Sequence, residues 1–145
     1  IIMSKQKYIL VIADGSEEMD VALQYACARS KKTNRKIMIA TFVEPPDVLT
    51  TQGVTEIMQN ESREDAKKRI REASNFVKES TGSKPISKIR EGETMQELKL
   101  LIEEEKNINV LVLAAKVDEN EKNPGPIINS LVTKEFSNFR VPVMI

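Results

Sequence analysis

Four short apolar runs and one weaker, alternating run interleave along the 145-residue chain with four stretches whose apolar residues recur at helical spacing. That interleaving restricts the fold more than any other feature. The runs cover residues 8–13, 37–43, 85–90, 110–115 and 141–145. Tyr8-Ile9-Leu10-Val11-Ile12-Ala13 and Val110-Leu111-Val112-Leu113-Ala114-Ala115 are almost continuously apolar, the pattern of strands buried on both faces. Strands separated by helices need crossover connections, which make the sheet parallel and put helices on both of its faces. The expected architecture is α/β, a single three-layer domain over residues 3–145 with a five-stranded parallel sheet. Ile1 and Ile2, ahead of Met3, are expected to be an expression remnant.

The runs differ in ways that place them. Residues 110–115 are the most hydrophobic and read as central. Residues 85–90 begin with a proline and carry only Ile86 and Ile89 as large apolar side chains, which suits a sheet edge. Val141-Pro142-Val143-Met144-Ile145 is apolar and contains a proline, so it reads as the other edge. An uncovered apolar edge invites pairing with a second copy of the chain, and a homodimer through this strand is expected.

Between the strands, Ser16 offers a helix N-cap, with Glu17 and Glu18 at the positive end of the dipole. Met19, Ala22, Leu23, Ala26 and Cys27 then form one stripe running to Ser30. Residues 47–60 are expected to be loop with a helical turn. Residues 61–79 are helical, with Ala66, Ile70, Ala73 and Val77 inward and Thr81-Gly82 as the stop. On their solvent side Glu64–Lys68 and Asp65–Arg69 have the spacing of favourable ion pairs. Thr94-x-x-Glu97 is a capping box, opening a helix with Met95, Leu98, Leu101 and Ile102 inward. Pro126 suits the first position of a last helix, with Ile127, Ile128, Leu131 and Val132 inward.

Composition removes many functions. Lys and Arg (22) balance Asp and Glu (22), so no overall basic field draws nucleic acid or an anionic membrane. There is no histidine, which removes Ser-His-Asp and Cys-His catalysis and His-ligated metals. The single cysteine, Cys27, excludes an internal disulfide and lies on a buried stripe beside Leu23, where it is core. Five glycines, no two closer than ten positions, cannot form a dinucleotide fingerprint or a P-loop. Lys67, Lys68, Arg69 and Arg71 are interleaved with acids and read as a solvated helix face. The longest apolar runs are six residues, against roughly 20 needed to span a bilayer. With its cysteine unpaired, the chain is expected in the cytoplasm.

In sheets of this kind ligands sit outside the carboxyl ends of the strands, where strand order reverses. With the first and fourth strands adjacent, Ala13, Asp14, Ser16, the Ala114-Ala115-Lys116 exit and the start of the last helix would line one crevice. A helix N-terminus there supplies free N–H groups and an anion seat.

Several segments carry a family resemblance: residues 8–16, Thr41-Phe42-Val43-Glu44-Pro45, Arg90-Glu91-Gly92, Asn129-Ser130-Leu131 and Arg140-Val141-Pro142-Val143. In this order and spacing, from Lys7 to Ile145, the chain resembles the universal stress proteins. The resemblance implies strand order 3-2-1-4-5, a homodimer, and in some members a bound adenine nucleotide. The ligand would be ATP or AMP, with magnesium where it is a triphosphate. Asp14 and Val43 stand where the family contacts adenosine. The family's phosphate pattern, G-x2-G-x9-G-[ST], is altered: Ala114, Val117 and Asn129 replace its glycines, two residues are added in the loop, and only Ser130 matches.

Glycine lets backbone approach a phosphate closely, and β-branched Val117 resists this. Asp118, Glu119 and Glu121 against Lys116 and Lys122 leave that loop net negative. Asn123-Pro124-Gly125-Pro126 offers a different anion nest, with Gly125 just before a helix start. The resemblance therefore implies a non-catalytic, homodimeric stress-response module with a modified nucleotide crevice. Ala13, Asp14, Ser16 and Val43 would serve the adenosine side; Ala114, Ala115, Lys116, Gly125, Asn129 and Ser130 would serve the phosphate side.

Blander readings stand beside these. Asp14-Gly15 is ordinary turn chemistry, Ser130 is a tolerable helix residue, and Lys116 can simply decorate a loop. The alternative function is slow nucleotide hydrolysis, with Asp14 or a loop acid as base in the absence of histidine. A phospho-acceptor receiver domain is excluded by Arg90-Glu91-Gly92, which stands where that fold needs an aspartate.

Overall fold

A computed structural model describes residues 6–13, 18–44, 52–113 and 143–144, with 52–60 and 143–144 described in their backbone alone. The elements are β1 (Tyr8–Ile12), α1 (Glu18–Thr33), β2 (Lys36–Val43), α2 (Gln52–Thr81), β3 (Ile86–Glu91), α3 (Thr94–Glu104), β4 (Ile108–Val112) and β5 (Val143–Met144). Every strand pair is parallel. The sheet order is β3-β2-β1-β4-β5, which puts β1 at the centre and β3 and β5 at the edges.

Period-two alternation along β1 assigns each side chain to a face. Ile9, Val11 and Ala13 pack with Leu23, Ala26 and Cys27 of α1 and with Ile70, Ala73 and Val77 of α2. Leu10 and Ile12 point the other way, onto Leu98, Leu101 and Ile102 of α3. Two successive crossovers outward from β1 place α1 and α2 together on one face. The return from β3 across to β4 places α3 on the opposite face, as right-handed connections require. Leu10, Ile9, Ile39 and Leu111 have no measurable exposure, so the central strands are buried on both sides.

Helix exits use the backbone conformation expected of them. Gly82 (φ 75°) follows α2, and its N–H donates to the Lys78 carbonyl at 2.9 Å. Asn34 (φ 57°) performs the same turn after α1.

Several expected boundaries move. Residues 52–60 are not loop: α2 begins at Gln52 and runs 30 residues. β4 starts at Ile108 and ends at Val112, with Leu113 already outside it, instead of covering 110–115. Of its two added leading residues, Ile108 pairs with Tyr8 of β1 and Asn109 falls in a register shift before Val110 meets Ile9. The capping box at Thr94 and Glu97 does not form. Glu93 is the N-cap of α3, its carboxylate accepting from the N–H groups of Met95 (3.2 Å) and Gln96 (2.8 Å). Glu97 is drawn away by Arg90. On α2, Glu64 pairs with Lys67 at 3.3 Å, one residue nearer than the expected Lys68. The N-cap expected at Ser16 and the helix expected after Pro126 lie outside the described residues.

Candidate functional site

Strand order reverses between β1 and β4, so the carboxyl ends of these strands define the expected crevice. Of the sequence-derived site residues, the structure describes Ala13 and Val43. Asp14, Ser16, Ala114, Ala115, Lys116, Gly125, Asn129 and Ser130 lie outside the described residues.

Val43 ends β2, and Ala13 follows the last residue of the neighbouring β1, where it is tied to β2 at Ala40 and Thr41. The Ala13 N–H donates to the Ala40 carbonyl at 2.8 Å, continuing the ladder one residue past β1. The Thr41 hydroxyl, fully buried, donates back to the Ala13 carbonyl at 2.7 Å. A buried hydroxyl is costly unless bonded, and this bond fixes the direction in which the chain leaves β1. Sequence reasoning missed the role of Thr41. The signal was available: it is the single polar residue inside the apolar run 37–43.

Beyond β2 the chain is pinned from the β3 side. Gly92 N–H donates to the Val43 carbonyl at 2.9 Å. Glu44 accepts from both the hydroxyl (2.7 Å) and the N–H (3.2 Å) of Thr94, tying the β2 exit to the start of α3. Arg63 of α2 forms a two-pronged ion pair with Glu91 and holds its carboxyl below the ordinary range. Arg90 grips Glu104 through two nitrogens, at 2.7 and 3.1 Å, and Glu97 through Nε at 2.9 Å. These bonds, Glu104 first, raise the guanidinium above its already high pKa and depress that of Glu104.

Two chemical consequences follow. Ala13 and Val43 are 1% and 3% exposed, so neither offers a side chain for a ligand to contact. A carbonyl has two lone pairs, so the Ala13 and Val43 oxygens each keep one after their internal bonds. The second consequence concerns acids. Glu44, Glu91, Glu93 and Glu97 are each held by a partner, so none of these four is a free base at this end of the sheet. Among the described residues, no three His, Cys, Asp or Glu side chains are grouped to hold a metal ion. No described helix is long and apolar enough to cross a membrane.

The arrangement is that of an open, doubly wound parallel α/β domain with its topological switch point between β1 and β4. More narrowly, the universal stress protein family model matches residues 6–145, and the chain belongs to that family. Solved structures agree in fold. Universal stress protein UspA from Lactobacillus plantarum is 16% identical, with a TM-score of 0.79 and 98% of each chain covered. A universal stress protein solved in complex with cAMP is 20% identical (TM-score 0.68; 98% of this chain and 97% of that one). The universal stress protein from Archaeoglobus fulgidus, solved in complex with dAMP, is 12% identical (TM-score 0.62; 98% of each). No curated protein matches the sequence.

Proposed function

We propose that this protein is a non-catalytic, homodimeric stress-response module of the cytoplasm that binds an adenine nucleotide at the carboxyl ends of β1, β2 and β4. The observation that carries the reading is the locked junction of β1 and β2, where Thr41 holds the Ala13 carbonyl. It fixes the exit of β1 beside the end of β2 at Val43, where an adenosine moiety would lie. Two relatives of the same fold were solved with cAMP and dAMP, which supports an adenine monophosphate as the ligand class.

In this reading Asp14 accepts from a ribose hydroxyl or adenine amino group, next in the chain after the fixed Ala13. Ser16, Ala114, Ala115, Lys116, Gly125, Asn129 and Ser130 serve the phosphate side. Alanine, valine and asparagine at the family's glycine positions narrow the approach to a triphosphate. AMP is therefore preferred over ATP, and magnesium is required only if a triphosphate is held. The engagement of Glu44, Glu91, Glu93 and Glu97 supports binding without turnover.

Calorimetric titration with ATP, ADP and AMP, with and without magnesium, tests the proposal. AMP is expected to bind without magnesium, and Asp14→Ala to weaken it by about tenfold or more, the effect of one charge-assisted hydrogen bond. Absence of binding by all three nucleotides overturns it. Phosphate release from ATP that disappears in Asp14→Ala would replace the non-catalytic reading with hydrolysis.

A further inference from the structure

A second concavity lies at the opposite end of the sheet, where β1, β2 and β3 begin. It has a volume of about 160 Å³ and a floor of Ile37, Val77 and Pro85, all buried. Strands of five to eight residues separate it from the carboxyl-end crevice by about 20 Å at roughly 3.3 Å per residue.

Its rim is one-sided in charge. Among the described residues, Lys31, Arg35, Lys36 and Lys84 line it, and no Asp or Glu does. Four described cations elsewhere pair with carboxylates: Arg63 with Glu91, Lys67 with Glu64, Lys88 with Glu105, and Arg90 with Glu97 and Glu104. In a chain whose charges balance at 22 each, four cations around one pocket with no acid among them are a local excess.

The α1 and α2 C-termini point this way, and their carbonyls would repel an anion if left bare. They are not bare. Ser30 donates to the Arg35 carbonyl, Gln6 to those of Lys7 (3.2 Å) and Asn34 (3.1 Å), and Thr81 to those of Val77 (2.8 Å) and Ser83 (3.2 Å). The pocket's own side chains thus engage several of the carbonyls around it, and every charged side chain among its described lining residues is cationic.

We infer that this pocket is a binding site for a small phosphate-bearing anion, distinct from the nucleotide crevice. The volume is below the roughly 300 Å³ at which drug-sized sites begin, so the occupant is the size of a pyrophosphate or a phosphorylated metabolite. Arg35 supplies a planar fork for two phosphate oxygens, and the lysines supply adaptable point charges. The proposal does not depend on the adenine reading, because it uses residues from the other end of every strand.

Inorganic pyrophosphate, with orthophosphate as comparison, is the probe. Calorimetry at low ionic strength is expected to show one site, tighter for pyrophosphate and weakened by added salt. The Lys36→Gln, Lys84→Gln double variant should lose about tenfold or more in affinity. Both side chains are exposed, and unchanged melting of the variant without ligand verifies that its fold is kept. Amide shifts on titration should concentrate at Asn34, Lys36 and Lys84. No binding at low salt, unchanged affinity in the double variant, or shifts confined to Ala13 and Val43 each overturn the inference.

Discussion

At Gly92 a single missing carbon atom holds three strands' worth of structure in place. Its φ of 148° lies in the region side-chain-bearing residues avoid. A Cβ built there would stand 2.7 Å from Cγ of Glu97 and 2.8 Å from its Oε1. The Glu97 side chain is flexible and could move, but moving it breaks the Arg90–Glu97 bond. The strained backbone cannot be relieved without loosening the Gly92–Val43 hydrogen bond. Gly92→Ala is therefore expected to destabilise the protein by about 1–3 kcal/mol, read as a lower midpoint in urea. An unchanged midpoint would mean that this turn carries no strain. Because Val43 borders the proposed nucleotide crevice, the same variant should also weaken AMP.

At the scale of elements, much of the architecture was legible in the sequence. Ile9 to Ile12 and Val110 to Leu113 are apolar in consecutive positions because helices cover both faces of the sheet. Ile86 and Ile89 betray an edge, and both remain partly exposed, at 37% and 42%. What was not legible depended on partners distant in sequence. Thr94 and Glu97 match a capping box, yet Arg90 of β3 takes Glu97 and Glu44 takes the Thr94 hydroxyl. With those two occupied, Glu93 reaches the free N–H groups of α3, a place more often held by Ser, Thr, Asp or Asn. The start of α2 was missed because Gly53 and Thr55 read against a helix. Once residues 61–81 are fixed against the sheet, extending the helix backward costs little per residue. Of the crevice, the sequence revealed its strand ends but not Thr41, whose function appears only when β2 lies beside β1. The cap assignment makes its own prediction. Glu93→Ala leaves two N–H groups of α3 without acceptors and should cost about 1 kcal/mol, measured by thermal unfolding. A variant melting with the wild type would return the capping role to Thr94.

For the whole molecule, the decisive asymmetry is between the two sheet edges. β3 ends the sheet on one side with polar and charged residues, and α2 leans over it through the Arg63–Glu91 pair. Such an edge is protected from pairing by its own charges. β5 ends the other side, within the uncharged apolar sequence Val141-Pro142-Val143-Met144-Ile145. Leu111 and Val112 of β4 occupy its inner hydrogen-bonding side, facing Val143 and Met144. The outer side carries the polar main-chain groups that a second copy could pair. Two-fold pairing there would bury an apolar edge and extend the sheet across both subunits. Sedimentation at micromolar concentration is therefore expected to give twice the mass of one chain. Met144→Lys places a charge on the pairing edge and should shift the protein to the monomer without lowering the helical signal in circular dichroism. A wild-type monomer at that concentration, or a Met144→Lys protein that remains dimeric, would move the interface away from β5. It would leave the nucleotide crevice and the basic pocket untouched, since their described residues all lie at the ends of β1, β2, β3 and the helices between them.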